Sequence, residues 1–185
     1  MAALCWLSPL SSQPSSAASR FVSTYDDQIR ASVRKFWGDW PFWLDWKAQL
    51  YQESTLDPSL CSSVGACGLA QFMPATWADI TRQLGYGNVS RHEARYAIEG
   101  GAFYMMQLRR QWKAIDFPDR QQLAQASFNA GSGNIRKAQR KCGMASRYSQ
   151  IVACLADVTG RANARQTTEY VTRIAKWRAL MEAGR

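Results

Sequence analysis

Histidine is almost missing from this chain, with His92 the only one among 185 residues. A mixed Cys/His metal site is therefore poorly supplied, and neither a metal nor a cofactor is expected. The five cysteines also lack the tight C-x2-4-C hook of a zinc site. No uninterrupted apolar run approaches the roughly 18 residues that would cross a bilayer, so no stable membrane span is expected. Runs of β-branched residues in strict alternation are absent too, and little or no sheet should form. Acids are scarce beside bases. The 14 Asp and Glu against 23 Lys and Arg leave a net charge of +9 and a pI of about 9.6. Such a balance favours polyanionic partners, whether nucleic acid, an anionic membrane surface or an anionic cell wall, without choosing among them. The excess is uneven: Arg120, Arg136, Lys137, Arg140, Lys141 and Arg147 fall between Arg120 and Ala156 with no acid among them.

What the chain does have is aromatic bulk. Of its 8 tryptophans, Trp37, Trp40, Trp43 and Trp46 sit in one short segment. A core cluster is the simpler reading, and platforms for flat amphipathic faces such as sugar rings the sharper one. Cys5 stands alone near the N-terminus, while Cys61, Cys67, Cys142 and Cys154 form two sequence-local pairs. Proximity favours Cys61–Cys67 and Cys142–Cys154 disulfides among three connectivities, which implies an oxidising compartment; free buried thiols are the competing reading. The opening "MAALCWLSPLSSQPSSAASR" has a short apolar stretch and a small-residue "SAAS" but no basic n-region. Residues 1–24 are accordingly expected to be a clipped signal, a weak anchor or a disordered leader, with one folded domain over 25–185.

Helical periodicity runs through that domain. Ile29, Val33, Phe36 and Trp37 mark a first helix, broken at Gly38 and Pro41. A second, from Phe42 to Ser54, carries Trp43, Trp46 and Leu50 at helical steps. Pro74 suits the first turn of a third. "SRHE", Ser90 to Glu93, has the pattern of a capping box opening a long helix. Gly100 and Gly101 inside that helix are costly unless something packs close to the backbone. Another helix runs from Asp119 to "FNAGSG", where Gly131 and Gly133 can cap it, and "NIRKAQRKC" makes a short basic one. A last helix begins near Thr167 with Tyr170, Ile174, Trp177 and Met181 on one face. The expected fold class is mostly α, a single domain.

One residue breaks the pattern. Glu53 continues the stripe of Trp43, Trp46 and Leu50, so burial disfavours its charge, and the negative end of the helix dipole acts in the same direction. A carboxyl kept protonated near neutrality is what a general acid needs. The competing reading is a glutamate frayed into solvent. After it comes "SSVGACGLAQFMP", Ser62 to Pro74, with glycines for close approach and Ser62 and Gln71 as uncharged hydrogen-bonding groups.

In order and spacing, "ES" at Glu53–Ser54, "S-x-V-G-A-x-G-L-A-Q" ending at Gln71, "A-S-F-N-A-G" at Ala126–Gly131 and "T-x-x-Y-V-x-x-I" at Thr167–Ile174 resemble the motifs of the soluble lytic transglycosylase domain, related in fold to goose-type lysozyme. The resemblance covers roughly residues 42–180. It implies a lysozyme-like α-helical fold and cleavage of the β-1,4 bond between N-acetylmuramic acid and N-acetylglucosamine in peptidoglycan glycan strands. By the same resemblance Glu53 protonates the glycosidic oxygen, and the resulting carboxylate takes the proton of the muramic 6-hydroxyl as it closes a 1,6-anhydro ring. Ser62, Gln71, Phe72, Asn129 and Tyr170 are the implied substrate-binding or supporting residues, with Tyr170 beside Glu53. Two departures stand out: Ala70 where the family usually has Met, and Phe128 where it usually has Tyr beside the acid.

A glycosidase with an enzymic nucleophile wants a second carboxylate roughly 5–5.5 Å away. Asp57 precedes Pro58 and suits a turn cap, and Asp79 suits a solvated helix face, so internal attack by the substrate is the preferred reading. A hydrolytic lysozyme is the runner-up, and a wall-binding module with a weak site the reading from another class. No nucleic-acid motif accompanies the basic charge. The expected setting is the bacterial envelope or periplasm, or secretion, including a phage-encoded enzyme delivered there, and the expected state is a monomer.

Overall fold

In a computed structural model, the structure describes residues 21–38 and 42–185. Among these residues the fold is all helix: α1 (Asp26–Phe36), α2 (Trp43–Ser54), α3 (Pro74–Leu84), α4 (Ala94–Gln111), α5 (Asp119–Ala130), α6 (Ser132–Lys141), α7 (Tyr148–Ala153), α8 (Ala156–Thr159) and α9 (Arg161–Ala183). Strand-like pairing is confined to isolated bridges from Cys67 to Cys61 and to Phe72. Most of the expected leader, residues 1–20, lies outside the described residues, as does Trp40. Phe21, inside the expected leader, packs its ring 5.0 Å from that of Tyr51.

The stripe on α2 is buried, but so are Leu44, Asp45, Lys47, Ala48 and Gln49. This helix is therefore enclosed on all sides, where the sequence predicts one apolar face. It lies along α9, with α1 against it. Asp45 and Lys47, the charged ones among its buried residues, survive burial by pairing. Lys47 meets Asp26 of α1 at 2.5 Å, and Asp45 meets Arg178 of α9 at 3.2 Å. Breaking such a pair by removing one partner leaves a buried charge uncompensated.

Gly100 and Gly101 are explained by ring contacts. A Cβ at Gly101 would lie 2.4 Å from Cζ2 of Trp46, and one at Gly100 would lie 3.2 Å from Cζ3 of Trp77. The Trp46 indole N–H also donates to the carbonyl of Ile98 at 3.2 Å. Two tryptophans thus pack against the stretch of α4 that lacks side chains. Trp37, Trp43, Trp46, Trp77 and Trp112 are all buried, so the core reading holds for these five.

Other boundaries shift. At "SRHE" the Glu93 carboxylate does accept from the Ser90 N–H at 2.9 Å, yet the segment is a turn and α4 starts after it, at Ala94. Gly131 breaks the chain between α5 and α6 with φ of 84°, whereas Gly133 is helical, inside α6. The last helix starts at Arg161, well before Thr167. The basic run is partly spent internally: Arg120 donates to the Ile115 carbonyl at 2.8 Å, and the Arg136 guanidinium lies 4.3 Å over Trp112. Both disulfides expected from proximity are formed, Cys61–Cys67 and Cys142–Cys154.

Candidate active site

Glu53 sits in the last turn of α2, which ends at Thr55 in the left-handed conformation with its N–H on the Tyr51 carbonyl. The side chain is only partly exposed. Burial raises its carboxyl to about 7, against the lowering effect of a hydrogen bond from the Tyr170 hydroxyl to Oε1. No charged side chain contributes to that shift. The proton is therefore retained by desolvation alone.

The partner hydroxyl comes from α9. Tyr170 is buried, and its own ionisation is pushed well up, first by burial and then by Glu53, with the Gln49 amide acting in the opposite sense. The phenol is thus a neutral donor. Three residues earlier on the same helix face, Thr167 donates to Oδ1 of Asn129 at 2.9 Å. A spacing of three places two side chains on one face of a helix. The T-x-x-Y pattern consequently lets α9 hold the acid at the end of α2 and the asparagine at the end of α5 together.

The loop after α2 is prefolded. Buried Ser54 donates to the Leu69 carbonyl at 3.0 Å, tying the residue next to the acid to the loop. Ser62 is exposed; its Oγ accepts from the Ala66 N–H at 3.0 Å, and its own O–H can still donate outward. Gln71 has φ of 46° and spends its amide N–H groups on the Leu60 and Gly68 carbonyls, each at 2.9 Å. It is a brace of the loop first, with its Oε1 as the remaining acceptor. Arg91 adds bonds to the carbonyls of Gly65 at 2.8 Å and Phe72 at 2.6 Å. A Cβ at Gly68 would fall 2.0 Å from the Arg91 carbonyl oxygen, so only glycine fits there.

Phe72, which the resemblance places at the substrate, is instead buried, with its ring 5.5 Å from Trp77 and 6.1 Å from Phe128. Phe128 completes an aromatic cluster with Tyr104 at 5.5 Å. Phe72 anchors the loop to the core through that cluster, and its hydrophobicity explains its burial.

The two alternative carboxylates are engaged elsewhere. Asp57 accepts from the Ser59 N–H at 2.8 Å and hydroxyl at 2.7 Å, and those bonds hold its carboxyl below the usual range. Asp79 pairs with Arg82 on the exposed face of α3. The residue missed in the sequence is Gln49. It is wholly buried one turn before Glu53, with its amide 3.5 Å from Met105 Sδ. A polar residue inside an apolar run was the available signal. Among the described residues, one group brings metal-capable atoms together, Cys61, Cys67 and His92, and its two sulfurs are joined.

Comparison with known proteins follows the same lines. Residues 47–151 match the family model described as the transglycosylase SLT domain; Tyr170 lies beyond that segment. The membrane-bound lytic murein transglycosylase F of Pseudomonas syringae pv. syringae is 34% identical over 117 residues, which is 63% of this chain and 22% of that protein. Its namesake from Maricaulis maris is 29% identical over 183 residues, 89% of this chain and 39% of that one. The chain thus spans well under half the length of these relatives. Among solved structures, an inactive mutant of lytic transglycosylase Slt from Pseudomonas aeruginosa superposes with a TM-score of 0.70 at 21% identity, covering 88% of this chain and 24% of that one. The 70 kDa soluble lytic transglycosylase of Escherichia coli gives 0.68 at 20% identity, covering 90% and 25%. These likenesses establish the fold as the all-α, lysozyme-like one.

Proposed function

The chain belongs to the transglycosylase SLT domain family, and on that footing we propose that it is a peptidoglycan lytic transglycosylase. Its substrate is the β-1,4 bond between N-acetylmuramic acid and N-acetylglucosamine, and Glu53 is its single acid and base. The observation that carries this reading is the carboxyl poised at about 7 by burial, with one neutral phenol as its side-chain donor.

The steps follow from that poise. Protonated Glu53 gives its proton to the glycosidic oxygen, and the bond to C1 of the muramic residue breaks as positive charge develops there. The carboxylate left behind is held by the Tyr170 hydroxyl. It then accepts the proton of the muramic 6-hydroxyl as that oxygen closes onto C1, which returns Glu53 to its starting state. A group that must donate and then accept works best with a pKa near the ambient pH. No enzymic nucleophile is required, which agrees with Asp57 and Asp79 being committed to Ser59 and Arg82. Ser62 and Asn129 are assigned to substrate contact and support of the site, and Gln71 to shaping the groove through the loop.

No helix among the described residues is long and apolar enough to cross a membrane. The named relatives are membrane-bound enzymes of bacteria, and the place of action assigned here is the bacterial cell wall, where a net charge of +9 suits an anionic polymer. The test is mass spectrometry of fragments released from purified peptidoglycan by the protein and by Glu53→Gln. Ends carrying 1,6-anhydromuramic acid, absent with the variant, are expected. Reducing ends would replace the internal hydroxyl by water and make the enzyme a lysozyme. No release by the unaltered protein would remove the enzymatic reading.

A further inference from the structure

The chain's single histidine is folded onto a disulfide. Cys61 Sγ, Cys67 Sγ and a ring nitrogen of His92 all lie within 4.8 Å of one another. Nε2 of His92 is 3.9 Å from Cys61 Sγ, and Nδ1 is 2.9 Å from the carbonyl oxygen of Pro58. A carbonyl only accepts, so Nδ1 carries the proton of the neutral ring and Nε2 keeps its lone pair on the sulfur side. Histidines that ligate metals are commonly oriented in this way, with the second nitrogen bonded to a backbone carbonyl.

We propose that reduction of Cys61–Cys67 converts this corner into a binding site for a zinc-type divalent cation, with Cys61, Cys67 and His92 as ligands. Tetrahedral zinc with about 2.3 Å bonds to sulfur and about 2.0–2.1 Å to nitrogen separates its ligand atoms by roughly 3.5–3.8 Å. The imidazole is already near that distance from Cys61. Only the two sulfurs must move apart once their bond is reduced. The fourth position is left to water, and both Cys61 and His92 are exposed, which gives the ion a way in.

The scaffold that positions the ligands does not depend on the covalent bond. Cys67 exchanges backbone hydrogen bonds with Phe72, both at 3.1 Å, and Gly68 N–H donates to the Leu60 carbonyl at 2.9 Å. Arg91, the neighbour of His92, holds the loop through the Gly65 and Phe72 carbonyls. The second disulfide has no such companion, because the chain contains no other histidine. The metal would therefore replace one loop cross-link by another, keeping the segment that carries Ser62 and Gln71 closed under reducing conditions.

The balance is simple. A dithiol reductant supplies two electrons and two protons to the disulfide and closes its own disulfide. A phosphine in the test tube supplies the two electrons and becomes the phosphine oxide, with water giving the oxide oxygen and the two thiol protons. The cation then displaces both protons as the thiols ligate it as thiolates. This inference is independent of the proposed glycosidic chemistry.

The test uses the full chain with Cys5, Cys142 and Cys154 replaced by serine, reduced with a phosphine and titrated with cobalt(II). Sulfur-to-cobalt charge-transfer bands with the visible bands of tetrahedral cobalt are expected at one ion per chain, and zinc should displace them. The oxidised protein should show none. In the same background His92→Ala should weaken binding at least about tenfold, and Cys61→Ser together with Cys67→Ser should abolish the charge-transfer band. Circular dichroism of the reduced apoprotein should keep its helical signal. Absence of the bands, bands indifferent to His92→Ala, or collapse of the helical signal on reduction would each overturn the proposal.

Discussion

Replacing Tyr170 by phenylalanine removes one hydroxyl from the core and leaves the packed ring in place. In the native protein burial lifts the Glu53 carboxyl to about 7 while the phenol hydrogen bond restrains the rise. A hydrogen bond to a charged group contributes about 1.5–3 kcal/mol, and one pKa unit corresponds to about 1.4 kcal/mol. Loss of the donor should therefore raise Glu53 by about 1–2 units, to roughly 8–9. The first chemical step needs the protonated acid, so kcat/KM should fall on the alkaline side through the carboxyl's own pKa. That limb, expected near 7 for the unaltered protein from the Glu53 carboxyl, should move upward in Tyr170→Phe. The plateau rate should drop at the same time, because the carboxylate formed in the transition state has lost its donor; a partial loss of that bond gives about tenfold. The assay is the pH profile of release of soluble fragments from peptidoglycan. An alkaline limb that stays put, or moves down, would refute the assignment of Tyr170 as the group restraining Glu53.

Glu53→Gln should abolish turnover and also stabilise the protein, but only at higher pH. The folded-state pKa is raised from 4.5 to about 7, so the native state binds the proton more tightly. Stability is full below about 4.5, declines as pH rises, and is lowest above about 7. A neutral glutamine escapes that decline, worth about 3 kcal/mol at pH 8 and nothing at pH 4; urea unfolding at the two pH values checks it, and equal effects at both would count against the raised carboxyl. Gly101→Ala should cost about 2–3 kcal/mol, since its methyl would lie 2.4 Å from Trp46. The control Gly133→Ala faces open space and should stabilise by about 0.5 kcal/mol. A chain ending at residue 160 keeps the whole family-matched segment yet removes α9, the principal partner of α2; it should lose cooperative thermal unfolding, and a sharp transition would show that the segment folds alone.

The placement of Glu53 and Tyr170 was legible because helical spacing is a local property. Trp43, Trp46 and Leu50 lead to Glu53 by steps of one turn, and Thr167 and Tyr170 share a face by the same geometry. The glycine pair in α4 announced a close approach, though not which ring would fill it. What escaped depends on partners distant along the chain. Asp45 and Lys47 look like solvent-facing residues until Arg178 and Asp26 arrive from α9 and α1. Nothing in its neighbours places His92 against Cys61, and Phe72 reads equally as a groove lining or a core ring. The short α7 and α8 carry too few turns to show a period.

The poise of Glu53 rests on a subtraction between two opposed effects. Enclosure of α2 raises the carboxyl, and a phenol delivered by α9 lowers it. Enclosure alone would overshoot. The acid would then hold its proton so tightly that giving it to a weakly basic glycosidic oxygen becomes harder, while a second donor or a nearby cation would ionise it before substrate arrived. One neutral donor sits between these outcomes. That donor must itself stay un-ionised, and burial of Tyr170 together with the adjacent carboxyl ensures this by pushing the phenol's own pKa well up. The same burial that makes Glu53 an acid therefore also keeps Tyr170 a donor, and both effects come from packing α9 along α2.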